Sequence, residues 1–205
     1  MSRWNKIVFL GKLRPDLSIY KRLGKSESGS TAMEFGILAI PFFMIIVATV
    51  ETFIAFAGEQ LLESAVDTMS RKLRTGEITF NMGLPTDLNE AEFNTEFCNE
   101  IKLMLTCDGI GTADQKLYVD LQTVTNYASI DASVPRVSTA NFSELDTSGF
   151  GYNPGGSGAI NMLRVYYKWD VTVDLIRPYI TNIRPSSGSE YYLMVATTAF
   201  QNEGY

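Results

Sequence analysis

Histidine is missing altogether from this 205-residue chain. With it go the commonest general base and the commonest metal ligand. There is no G-x-S-x-G motif, no Cys–His arrangement and no cluster of metal-ligand spacing, so catalysis would fall to paired carboxylates. Asp170 and Asp174 form the nearest apparent pair, and acidic residues at that spacing on a strand are usually just solvated. No enzyme, metal or cofactor is expected. Positive charge is scarce where a nucleic acid would need it: after residue 29 there are 10 Lys and Arg against 21 Asp and Glu. Phosphate neutralisation needs clustered Lys and Arg, so nucleic acid is excluded as a partner. Cysteine occurs only twice, as Cys98 and Cys107.

Charge is absent from one long stretch. Phe35 to Val50 is uncharged for 16 residues, Glu51 interrupts, and Thr52 to Gly58 is uncharged again. As a helix rising about 1.5 Å per residue, residues 35–58 would cover roughly 36 Å, enough to cross a hydrocarbon core of about 30 Å. Apolar residues on every face argue for a membrane helix over a soluble core helix. Residues 1–29 carry seven basic and two acidic groups. Basic residues beside a span stay cytoplasmic, which puts the acidic C-terminal part outside, in a bacterium the periplasm or cell surface. Pro41 lies inside the span and should bend it. Glu34, at the cytoplasmic edge, reads two ways: an interfacial carboxylate among head groups, or an ion-pair partner within an assembly.

Beyond Gly58 the apolar pattern narrows to one face. Leu62, Val66, Met69 and Leu73 recur at helical spacing with Leu61 and Ala65 beside them, and Glu59, Glu63, Asp67, Arg71 and Arg74 take the other side. Asp67 and Arg71 are spaced to pair, and Thr75-Gly76 supplies a C-cap. One helix from about Thr31 to the cap therefore combines a span with an amphipathic stalk. Asn89 and Glu92 have capping-box spacing ahead of a stripe of Phe93, Phe97, Ile101 and Met104 or Leu105. In an oxidising compartment Cys98 and Cys107 read as a disulfide, with two buried free thiols as the alternative. A bridge would require the chain to fold back between them, and Thr106 to Gly109 is turn-forming.

The period then changes to two. Leu117, Val119 and Leu121 alternate with Tyr118, Asp120 and Gln122, a strand with one wet face. Leu163 to Val173 alternates likewise, and Tyr191 to Phe200 is apolar on both faces. Thr147 to Gly158, rich in glycine, reads as a long surface loop. The tyrosines of these strands, Tyr166, Tyr167, Tyr191 and Tyr192, suit a core or an interface. The fold expected is α+β: a long N-terminal helix, a second helix and a small antiparallel sheet. The division expected is a basic cytoplasmic leader (1–29), a transmembrane helix (30–58), a stalk (59–76) and one extracytoplasmic domain (77–205).

Gly29-Ser30-Thr31-Ala32-Met33-Glu34-Phe35, followed at once by an apolar helix, resembles the processing site of type IV prepilin-like proteins. In the tight-adherence (Flp) branch the pattern is a glycine, four residues, then Glu and an aromatic. Pro41, Arg74-Thr75-Gly76, the Cys98/Cys107 pair, Val165-Tyr166-Tyr167, Arg177-Pro178 and Phe200-Gln201-Asn202-Glu203 are similar to the TadE-like family of pseudopilins and pilus-assembly proteins. The resemblance implies a single-pass protein of the bacterial inner membrane whose partners are other pilus-machine subunits, including other pseudopilins. It further implies cleavage between Gly29 and Ser30 by a prepilin peptidase, and pairing of Glu34 with a neighbouring subunit's new α-amine. An unpaired charge in a low dielectric is costly, which favours such a pair. The leader is long for a prepilin, and related TadG-type proteins keep theirs, so cleavage stays open. The competing reading is an anchored periplasmic module that binds a ligand or a surface.

Overall fold

The computed structural model describes residues 27–204 apart from 113 and 132; the expected leader, up to residue 26, lies outside the described residues. The chain divides into two compact units, Met1–Ile46 and Val47–Tyr205. Helix α1, Glu27–Arg74, runs through that boundary as one 48-residue element. Of the first unit the described part is purely helical, and its large apolar residues from Met33 to Ile46 are exposed. Pro41 sits within the helix and has no N–H to offer the carbonyl of Ile37.

In the second unit α1 becomes one-sided. Ala55, Leu62, Ala65, Val66, Met69 and Leu73 are buried, the spacing of a single helical face. The helix stops where expected: Gly76 adopts φ 79°, and Ile78 N–H donates to Lys72 O at 3.1 Å. The turn beyond is gathered by Asp87, whose carboxylate accepts from Thr79 Oγ1 at 2.6 Å and from the N–H groups of Met82, Gly83 and Leu84. The Thr79 hydroxyl first, then these amides, hold that carboxyl below its ordinary value.

Helix α2, Glu90–Ile101, starts on the expected capping box, with Asn89 Oδ1 accepting from Glu92 N–H and Glu92 accepting from Asn89 N–H. Phe93, Phe97 and Ile101 are fully buried against α1, and Leu105 rather than Met104 completes the stripe. Lys72 of α1 reaches Glu96 and Glu100 of α2 at 2.9 and 3.0 Å, the ion pairing found on this face in place of Asp67 with Arg71. Cys98 and Cys107 are joined, their Cα atoms 6.0 Å apart. Tyr167 Oη accepts from Thr106 N–H and donates to Thr106 O, tying the disulfide turn to the sheet.

Four strands follow: β1 (Leu117–Val124), β2 (Tyr152–Asn153), β3 (Ile160–Trp169) and β4 (Tyr192–Gln201), in sheet order β2-β1-β3-β4. The three long strands are antiparallel as expected, but β2 runs parallel to β1, so the sheet is mixed. The segment expected as a loop thus supplies an edge strand. Its anchor is Tyr152, which packs on Phe80 and Phe93 and donates to Leu88 O. A side chain at Gly155 would lie 2.9 Å from Thr123 Oγ1, so glycine is needed where the chain turns back.

The expected wet face is a correction. Leu117, Leu121, Leu163, Val165, Tyr167, Met194, Ala196 and Phe200 face the helices. The opposite face buries Tyr166, Leu193, Tyr191, Ile183 and Leu145 in a second cluster, roofed by the irregular segments around residues 134–150 and 183. Asp120, assigned to solvent by alternation, is fully buried. It is neutralised by Arg164, whose Nη2 and Nε lie 2.7 and 3.1 Å from Oδ2, and its Oδ1 accepts from Gln122 Nε2 and Gly151 N–H. A buried carboxylate is tolerable only when paired and hydrogen-bonded in this way.

Candidate functional site

Glu51 is the residue on which the helix changes character. It is the acid that interrupts the uncharged run, and only 7 % of it is exposed. Its Oε1 accepts from Thr172 N–H and its Oε2 from Val173 N–H, the latter at 3.1 Å. Two amides just past β3 are thereby satisfied by one helix side chain 121 residues earlier. The loop they belong to is braced from within. Val173 O accepts from both Ile176 and Arg177 N–H, and Arg177 Nη2 donates to Val171 O at 2.9 Å and to Asp174 Oδ1 at 2.7 Å. A short helix, α3 (Arg177–Ile180), follows, with proline in its first turn. This clasp was not foreseen. The signal was present, since a lone carboxylate inside a long apolar run is costly unless it has partners.

Other expected residues are distributed as follows. Gly29 and Ser30 lie on the first turn of α1, and Glu34 lies one turn on with its residue exposed. Asp170 pairs with Lys116 Nζ at 2.8 Å and Asp174 with Arg177, so each carboxylate has its own cation. Tyr166 and Tyr191 belong to the second core cluster, and Tyr167 to the first, with Tyr192 packed at its edge. Two segments linked in the sequence reading only by resemblance meet at the far end of the domain. Glu203 N–H donates to Arg74 O at 2.9 Å, and buried Asn202 is held by Asn161 Nδ2 while donating to Gly155 O and Gly156 O.

A polar cleft of about 570 Å³ opens between the β1 and β4 sides, lined by Lys116, Glu144, Lys168, Asp170, Ser187 and Tyr191 among others. The Asp170 carboxylate raises Lys116 above its ordinary value, and burial pushes the Tyr191 phenol up to about 12. Lys168 is committed at 2.9 Å to Tyr118 Oη and lies over both the Tyr118 and Tyr191 rings. Both lysines of the cleft are thus engaged within the protein.

Among the described residues one helix, α1, is long and apolar enough to cross a membrane, with a mean hydropathy of 2.3 over its most apolar 18 residues. No curated protein and no solved structure matches this chain. The likeness read downstream of the stalk lies beyond the region that a family model covers. That region, residues 29–71, which includes Glu34, Pro41 and Glu51, matches the family described as TadE-like protein.

Proposed function

We propose that this chain is a membrane-anchored, pseudopilin-like component of a tight-adherence (Flp) pilus assembly machine, acting structurally and without catalysis. The observation that carries the reading is the family match to residues 29–71, which covers the apolar stretch and the face of α1 that packs on the folded domain. The basic residues before the span favour a cytoplasmic N-terminus and a periplasmic domain. In that arrangement Glu34 sits where it can pair with a neighbouring subunit's amine, and a prepilin peptidase cutting after Gly29 would create that amine. The Cys98–Cys107 bridge suits an oxidising compartment. Intact mass of the protein from its native membrane, with co-purification of machine subunits, tests this. A chain beginning at Ser30 together with co-purified subunits supports a processed pseudopilin; a retained leader assigns the chain the role of a static anchor.

The second reading, an anchored module gripping a ligand or surface, draws on the cleft between Lys116 and Tyr191. Its two lysines are already committed to Asp170 and Tyr118, so it ranks behind. Normal pilus assembly in a strain lacking the protein, together with ligand capture by the full chain, would reverse the order.

A further inference from the structure

The Glu51 clasp fixes the 171–180 segment at a definite height along α1. Thr172 and Val173 are bonded to a side chain only one residue past the uncharged Phe35–Val50 run. That segment ought to be polar throughout if it faced water, yet beside the exposed Thr172 and Asp174 it presents two large apolar side chains: Leu175 is 55 % exposed and Tyr179 88 %. Leu175 lies in the loop braced by Val173 O and Arg177, and Tyr179 in α3 directly after it. The opposite side of α1 shows the same feature at the same level. Phe53 and Phe56, two and five residues past Glu51, are 69 % and 59 % exposed beside Thr49 and Thr52. At about 1.5 Å per residue they extend the apolar surface some 3 to 7.5 Å beyond the carboxylate. Exposed apolar side chains thus occur both on α1 just past Glu51 and in the segment whose amides Glu51 holds.

We infer that the 171–180 segment is a foot resting in the interfacial layer of the bilayer that α1 spans, with Leu175 and Tyr179 inserted among the head groups. The inference rests on the anchor reading above and adds the bilayer as a second contact. Tyrosine is enriched at this depth because its ring is apolar and its hydroxyl remains wet. The foot explains the clasp: two amides and a carboxylate that would sit at the edge of the hydrocarbon satisfy each other. It also sets the domain directly on the membrane. The inserted groups are apolar and Arg177 is engaged by Asp174, so the contact is with the interface of lipids in general, not with anionic head groups.

The test uses the full chain, disulfide intact, in vesicles of equal parts phosphatidylethanolamine and phosphatidylglycerol. Nitroxide labels are placed singly in Phe42→Cys, Tyr179→Cys and Tyr127→Cys proteins, and their collision rates with oxygen and with a water-soluble nickel complex are compared. Tyr127 is an exposed residue of the same domain, outside the foot. The expected result is a label at 42 in the hydrocarbon and a label at 179 with an oxygen-to-nickel ratio several-fold above that at 127. Replacing phosphatidylglycerol by phosphatidylcholine should leave that ratio unchanged. Equal ratios at 179 and 127, with 42 in lipid, overturn the foot and leave the anchor standing. A shift that needs phosphatidylglycerol overturns the apolar basis of the contact, and a water-exposed label at 42 overturns the anchor and the foot together.

Discussion

Helix α1 carries two regions of one continuous helix with different patterning, one before Glu51 and one after. Before it, twelve large apolar side chains from Met33 to Val50 are exposed, on every face. After it, Ala55, Leu62, Val66, Met69 and Leu73 lie against the domain core, and charged residues hold the other side. Burial of a large apolar side chain is worth about 1.5–3 kcal/mol, so the first region forgoes roughly 20 kcal/mol or more in water, above the ~5–15 kcal/mol net stability of a typical domain. Such a surface is consistent with the membrane anchor proposed above. The second region has found its solvent in the protein.

Mutations on the two sides should therefore diverge. The largest expected effect is Phe97→Ala, which empties a fully buried site against the stalk and should lower domain stability by about 3–5 kcal/mol in denaturant unfolding. Phe42→Ala should leave that transition where it is. Almost as large is Asp120→Ala, which strands Arg164 in the second core; breaking such a pair costs about 3–5 kcal/mol. Cys98→Ser with Cys107→Ser opens a loop of sequence separation 9 and should cost about 2.5 kcal/mol, read as a lower melting temperature under non-reducing conditions.

Two smaller effects refine the boundary. Glu51→Ala leaves the amides of Thr172 and Val173 without their acceptor; a loss of about 1–3 kcal/mol is expected, with faster amide exchange confined to residues 171–180. Lys72→Met, which removes a partly exposed ion pair, should cost at most about 1 kcal/mol. Its pH signature has a definite sign. Lys72 holds the Glu96 carboxyl below its ordinary 4.5, so this contribution is present above 4.5 and is lost as pH falls through the lowered folded value. Lys72 itself is raised above 10.5, chiefly by Glu96, so its part persists below 10.5 and disappears as pH climbs through the raised value. Acid titration of the Lys72→Met protein should therefore show a shallower loss of stability below pH 4.5 than the parent.

What could be read from the sequence follows from how local each feature is. The α1 stripe, the Asn89 capping box, the Gly76 stop and the alternation from Leu163 are written in residues a few positions apart, although the strand ends at Trp169 and not at Val173 as that alternation suggested. The disulfide also needed only a short fold-back. The second sheet face was not legible, because its roof comes from irregular segments bearing Leu145 and Ile183, which show no period. Alternation therefore assigned Asp120 to water, and only its remote partner Arg164 reveals otherwise. Strand β2 is two residues long, too short for any pattern. Glu51 was visible as an oddity, but its partners lie 121 and 122 residues away.

The central claim is that α1 leaves lipid near Glu51 and enters protein-lined, aqueous surroundings beyond it. Single cysteines at Leu38, Phe42, Ile45 and Ser64, probed with a membrane-impermeant maleimide on intact native membranes, test it most directly. The account predicts labelling at 64 from the periplasmic side alone and none at 38, 42 or 45 until the membrane is dissolved. Labelling at 38–45 in intact membranes, or at 64 from the cytoplasmic side, would contradict it.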